Sequence, residues 1–210
     1  MIPEHSEFDE INQRFKPLFR HLRPGEGMCP FVVDERAAKR VAISHHSAGR
    51  DATLVQIGRN WDGKLPLDDL AVTIRYAPFV EGTAIIYDLM DETMQGKARP
   101  FECDLRHRFA RMYMLLPYQI ESASIGLRED DKRRVLRMGF TDARGEIIEA
   151  ALPLELQVSD ATGKLLSATC AATNRLGQFD YELPDQGSSV AVRSCLTGQE
   201  EAIRLQRERG

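Results

Sequence analysis

Between residues 118 and 207 the chain repeats one local pattern, a short zigzag of apolar and polar residues followed by a four-residue turn ending in glycine. The separators are Asp142-Ala143-Arg144-Gly145, Asp160-Ala161-Thr162-Gly163, Asn174-Arg175-Leu176-Gly177 and Pro184-Asp185-Gln186-Gly187. A side chain that bonds the backbone two residues on, followed by a glycine free to take positive φ, reverses the chain between strands. The intervening segments alternate: Leu136, Met138 and Phe140; Leu154, Leu156 and Val158; Phe179, Tyr181 and Leu183. A period of two sets each group on one face, as an antiparallel sheet with one wet side requires. Strands are predicted over 119–127, 134–141, 154–159, 165–172, 178–183, 189–194 and 201–205.

Seven short strands at this spacing predict an immunoglobulin-like sandwich. The same period appears earlier, over 41–44, 53–58, 70–75, 83–89, 100–105 and 109–116. Leu70, Val72 and Ile74 share one face there, and Phe101, Cys103 and Leu105 point inward. Pro117 cannot donate to a central ladder and marks a boundary. A length of 210 residues suits two sandwiches better than one. The fold expected is all-β, two tandem antiparallel sandwich domains over 31–117 and 118–210, each with its own core. A short helical segment within 1–30 precedes them. Ser6 begins a capping-type start, and Phe8, Ile11, Phe15, Leu18, Phe19 and Leu22 recur at near-helical spacing. Pro17 is expected to kink or split this helix and Pro24-Gly25-Glu26-Gly27 to end it; it then docks on the first sandwich or is a remnant that lay against an upstream domain.

Composition narrows the partners. The net charge is −4 with both signs interspersed, so no broad basic surface exists to displace counterions from nucleic acid. Asp131-Lys132-Arg133-Arg134 follows Glu129 and Asp130 and reads as a charge-balanced hairpin tip. No apolar run nears the roughly 20 residues of a membrane span, and the start Met1-Ile2-Pro3-Glu4-His5-Ser6 lacks secretory character. The compartment stays open, with an extracellular or envelope setting available if the chain belongs to a longer protein. Cys29, Cys103, Cys170 and Cys195 lack metal-ligand spacing and read as small buried hydrophobes. Alternation sets Cys170 and Cys195 on unmatched faces, against a disulfide.

His45-His46 is the most suggestive pair for metal or acid-base chemistry. Neighbours on an extended segment point to opposite faces and do not chelate together, however, and His5, His21 and His107 complete no ligand set. Trp61, within Asn60-Trp61-Asp62-Gly63, falls on a loop where an indole can stack on a sugar, with Tyr76 and Tyr87 as possible extensions of the platform. The competing role is a Trp that plugs the end of a sandwich. Asp68-Asp69, Asp91-Glu92 and Asp130-Asp131 lack the alternation of a calcium loop and the separation of a glycosidase pair, and read as solvated turns. Markers of nucleophilic, phosphoryl-transfer, hydride-transfer and zinc chemistry are missing. No cofactor, no metal and no catalytic residue is expected.

Two resemblances add to this. Phe140-Thr141-Asp142-Ala143-Arg144-Gly145-Glu146-Ile147-Ile148, with Ala172-Thr173-Asn174-Arg175-Leu176-Gly177-Gln178-Phe179, resembles bacterial Ig-like and macroglobulin-type modules. There a turn of this kind opens the next inward-facing strand. Tyr87-Asp88-Leu89-Met90-Asp91-Glu92-Thr93 and Ala110-Arg111-Met112-Tyr113-Met114-Leu115-Leu116-Pro117 are similar to the β-sandwich domain that follows the catalytic barrel in many glycoside hydrolases. The resemblances imply a non-catalytic accessory or structural pair, associated with a larger surface or carbohydrate-processing protein, with protein or polysaccharide as partner. The alternatives are a carbohydrate-binding module using Trp61 and a small hydrolase using His45 or His46.

Overall fold

A computed structural model describes residues 13–50, 52–60, 70–77, 80, 82–97, 99–106, 108–130 and 133–205. The described residues are all-β apart from two short helices, α1 over 13–19 and α2 over Glu35–Ala38. Pro17 does not break α1 within these residues.

The first half builds two facing sheets. One has six strands in the order β1 (Arg23–Pro24), β3 (Val41–Ser47), β4 (Thr53–Arg59), β9 (Ala110–Leu116), β6 (Ile85–Asp88) and β7 (Thr93–Lys97). The other has three: β2 (Phe31–Val32), β5 (Ala71–Tyr76) and β8 (Phe101–Asp104). Val41, Val55, Ile57, Tyr113 and Leu115 meet Val72, Ile74 and Cys103 between them. Phe31 anchors this layer with edge-on contacts to Tyr76 at 5.3 Å and Tyr113 at 5.8 Å, the arrangement that ring quadrupoles favour.

The second half is a seven-stranded sandwich of a three-stranded and a four-stranded sheet. The former is β10 (Ser122–Asp130), β11 (Arg133–Thr141) and β14 (Phe179–Glu182). The latter runs β13 (Leu165–Ala172), β12 (Pro153–Ser159), β15 (Ser189–Ser194) and β16 (Glu200–Arg204). Leu136, Met138 and Phe140 pack on Leu154, Leu156, Val158, Val190 and Val192, the alternating sets read from the sequence.

Three of the four glycine turns share one geometry. Asp142, Asp160 and Asn174 each accept through Oδ1 from backbone N–H groups two and four residues on, and Gly145, Gly163 and Gly177 take φ of 77, 85 and 76°. The fourth departs from expectation. Gly187 does not take positive φ; a β-carbon there would lie 3.1 Å from both Leu183 Cγ and Val158 Cγ1, so the glycine serves close approach.

Among the described residues no sheet mixes strands from the two halves, but the apolar interior does not divide at Pro117. The outward face of the six-stranded sheet, with Leu54, Tyr87, Met112, Met114 and Leu116, joins the interior of the second sandwich in one cluster. Phe15 and Leu18 of α1 belong to the same cluster, so α1 packs in the shared interior and not on the first sandwich alone. The expectation of two separate cores therefore needs correcting. The reason is that the central strand β9 is apolar on both faces, from Met112 to Leu116, and its second face must be covered.

Hydrogen bonds fix the seam. Arg50 N–H donates to the Glu149 carbonyl at 3.1 Å and Ala151 N–H to the Ala48 carbonyl at 2.7 Å, a single antiparallel bridge across the halves. The Ile120 N–H donates to Tyr87 Oη at 2.9 Å. Glu92, in the β6–β7 turn at φ 53°, pairs with Arg14 of α1 and Arg193 of β15; both arginines also pair with Glu155 of β12, at 3.1 and 3.0 Å.

Candidate functional site

Along β3 the inward positions change character. Val41 and Ile43 belong to the first core, whereas His45 and Ser47, next on the same face, are polar. On β4 the matching series runs Ile57, Val55, Thr53, with Thr53 opposite Ser47 in register. The sandwich thus opens at this end into a mouth lined by hydroxyls and an imidazole. The cavity here is about 300 Å³ and is lined by Arg23, Glu26, His45, Ser47, Thr53 and Arg175. A second lobe of about 270 Å³ shares Glu26, His45 and Thr53 and continues to Met28, Pro30, Val80 and Leu115.

Local structure places each group. The Gly25 N–H donates to the His45 carbonyl at 3.0 Å, and a β-carbon on Gly25 would overlap the His45 ring, so this glycine makes room for the imidazole. Its φ is not positive, unlike that of Gly27 at 76°. His45 Nε2 is buried and has no hydrogen-bond partner among the described residues. Arg175 reaches in from the Asn174–Gly177 turn of the second sandwich. Its guanidinium donates to the Ser47 carbonyl at 2.7 Å, to Ser47 Oγ at 2.9 Å and to the His21 carbonyl at 3.4 Å.

The residues singled out in the sequence separate. His45 faces this cavity, and its neighbour His46 points to the other side of the strand, as alternation requires. Glu26 lines the same cavity, but no hydrogen bond joins it to His45 Nε2. Tyr76 and Tyr87 do not extend a sugar platform: they are 7% and 0% exposed, in the first core and the shared cluster respectively. Burial pushes both phenols up in pKa. Trp61, His5, His107 and Asp68-Asp69 lie outside the described residues. Asp91 and Glu92 are not merely solvated, since Arg108 and Arg111 hold Asp91 while Arg14 and Arg193 hold Glu92.

All four cysteines are free thiols. Cys195 is buried, but Cys170 is exposed on β13, which corrects the expectation of four buried cysteines, and no disulfide joins the two. Burial pushes Cys103 and Cys195 up to about 11, away from the thiolate that nucleophilic chemistry needs. Asp88, named in the sequence only as part of the glycoside-hydrolase-like stretch, is fully buried beneath the β6–β7 turn. It accepts from the Met90 and Asp91 N–H groups at 2.9 and 3.2 Å and from Arg111 at 2.7 Å, which makes it a turn anchor. Among the described residues no group of three or more His, Cys, Asp or Glu could hold a metal ion, and no helix is long and apolar enough to cross a membrane.

No family model matches the chain, and no curated protein matches it. Among solved structures, a β-glucuronidase from Ruminococcus gnavus aligns at 9% identity and a TM-score of 0.27, covering 88% of this chain and 43% of that one. An Escherichia coli α-2-macroglobulin structure spanning domains MG0-NIE-MG1 aligns at 10% identity and a TM-score of 0.31, covering 88% of this chain and 95% of that one. This chain thus spans less than half the length of the glucuronidase chain. Neither likeness identifies a relative of this chain.

Proposed function

We propose that the chain is a non-catalytic supporting unit, a pair of β-sandwiches held at a fixed mutual orientation, that serves a larger surface or carbohydrate-processing protein. The observation that carries this reading is the seam. One apolar cluster runs through both halves, and the charged groups nearest it, Arg14, Glu92, Glu155 and Arg193, are spent on one another. A flexible tether between binding modules needs none of this; a spacer that keeps two surfaces in register needs all of it. The sequence resemblances to macroglobulin-type and glycoside-hydrolase-associated modules support the setting.

The alternative built on Trp61 loses two of its three rings to the interior, Tyr76 and Tyr87, and no observation favours it. A panel of chromogenic glycosides and esters incubated with the purified chain is expected to show no turnover above buffer. Activity that co-purifies with the chain and disappears on His45→Ala would contradict the proposal.

A further inference from the structure

An open sheet leaves two edge strands whose outer backbone groups face solvent, and such edges pair with other chains unless charge, proline, a bulge or brevity blunts them. Among the described residues the edges of this molecule are blunted one by one. β1 and β2 are two residues long, and β7, β8, β10, β14 and β16 carry Lys97, Glu102, Glu129, Asp180 and Glu201. β13 is the exception. Leu165-Leu166-Ser167-Ala168-Thr169-Cys170-Ala171-Ala172 has neither charge nor proline, and Leu165 stands 52% exposed at its start. The one irregularity, a register shift that leaves Leu166 without an opposite residue on β12, lies near that start, and from Ser167 onward the pairing is regular.

The ladder shows which backbone groups are free. Thr173 N–H donates to the Leu152 carbonyl, and Pro153, opposite Ala172, has no N–H to give, so the hydrogen-bonded pairs fall at Leu154–Ala171 and Leu156–Thr169. The N–H and C=O of Ala168 and Cys170 therefore point away from β12, and among the described residues they meet no partner. Both residues are exposed, whereas Ala171 and Ala172 are buried at the end that Pro17, Arg20 and His21 flank.

We propose that this stretch is a homodimer edge, pairing antiparallel with β13 of a second copy of the chain about a two-fold axis near Ala168. A second copy is the occupant the strand fits, because self-pairing brings any charge on a strand close to its own image, and this strand has none. Ser167 falls opposite Thr169 of the second copy, hydroxyl against hydroxyl, a pair that stabilises antiparallel strands. The pairing uses up the free edge and so closes at two copies. The dimer goes beyond the supporting role, and its failure would leave that role untouched.

The test is sedimentation equilibrium of the full chain with a reductant present, since a disulfide through the exposed Cys170 also joins copies. The weight-average mass is expected to rise toward that of two chains by ~0.5 mM and no further. Ala168→Lys and Ala168→Glu, at an exposed position, are each expected to keep the parent's urea midpoint and to stay monomeric at that concentration. An equal mixture of the two is expected to dimerise again, because the charges that meet are then opposite, and a misfolded variant would not be rescued in this way. Ala168→Pro removes only an outward donor, so it is expected to abolish the dimer and leave the β12–β13 ladder whole. A parent that stays monomeric overturns the proposal, and so does a mass that passes two chains or a dimer that needs the oxidised thiol. It is equally overturned if the charged variants still dimerise alone, or if their mixture stays monomeric.

Discussion

A β-carbon on Gly49 would overlap the Glu149 carbonyl oxygen and lie 2.6 Å from the Ala150 α-carbon, both backbone atoms of the opposing sandwich. Neither can rotate away, so Gly49→Ala must part the seam bridge and is expected to cost ~2–3 kcal/mol in a denaturant titration. Gly27 is the contrasting case, with φ of 76° and open space around it. Gly27→Ala is expected to cost only ~1 kcal/mol, the backbone preference alone. Thiol reactivity follows burial in the same residue-by-residue way. Cys170 is expected to react with a maleimide in the native protein and Cys29 more slowly, with Cys103 and Cys195 labelled only on unfolding; mass spectrometry of the time course reads this directly.

Among the turns, Asp160 and Asn174 make the same loop with different chemistry. The Thr162 hydroxyl, with the Lys164 and Thr162 backbone N–H groups, holds the Asp160 carboxyl below its ordinary pKa of 3.8. A folded-state value depressed in this way contributes stability in full above the unfolded-state value and loses it as pH falls through the folded one. Asn174 makes its turn with a neutral side chain. Asp160→Asn is therefore expected to keep the turn and flatten the acid limb of the stability curve below about pH 4, as measured by urea midpoints across pH. These turns and the zigzag strands were legible because their signals are local: every strand read between 41 and 205 is present within a few residues. β1, β2 and β7 were not, because two are only two residues long and Thr93–Lys97 is an exposed edge with no alternation to read. The mouth residues were half legible. His45 stood out and Ser47 follows it two residues on along the same face, but Gly25, Thr53 and Arg175 meet it only through strand pairing and a turn 130 residues downstream, which no local pattern encodes. The signal for the shared interior was present and needed a different reading. Met112-Tyr113-Met114-Leu115-Leu116 has no polar alternation, the mark of a strand covered on both faces.

At the scale of the molecule, the two sandwiches differ in how they depend on each other. The first has an interior of its own between its two sheets, while the second shares its interior with α1 and the outer face of the six-stranded sheet. Removing the charges that frame this shared layer should weaken the whole. Glu92→Ala leaves Arg14 and Arg193 facing each other with only Glu155 between them, and is expected to cost ~1–3 kcal/mol. The central claim is that the halves form one cooperative body. Differential scanning calorimetry of the whole chain tests it most directly: one transition whose calorimetric and van't Hoff enthalpies agree is the predicted result, and two resolved transitions, one for each sandwich, would contradict it.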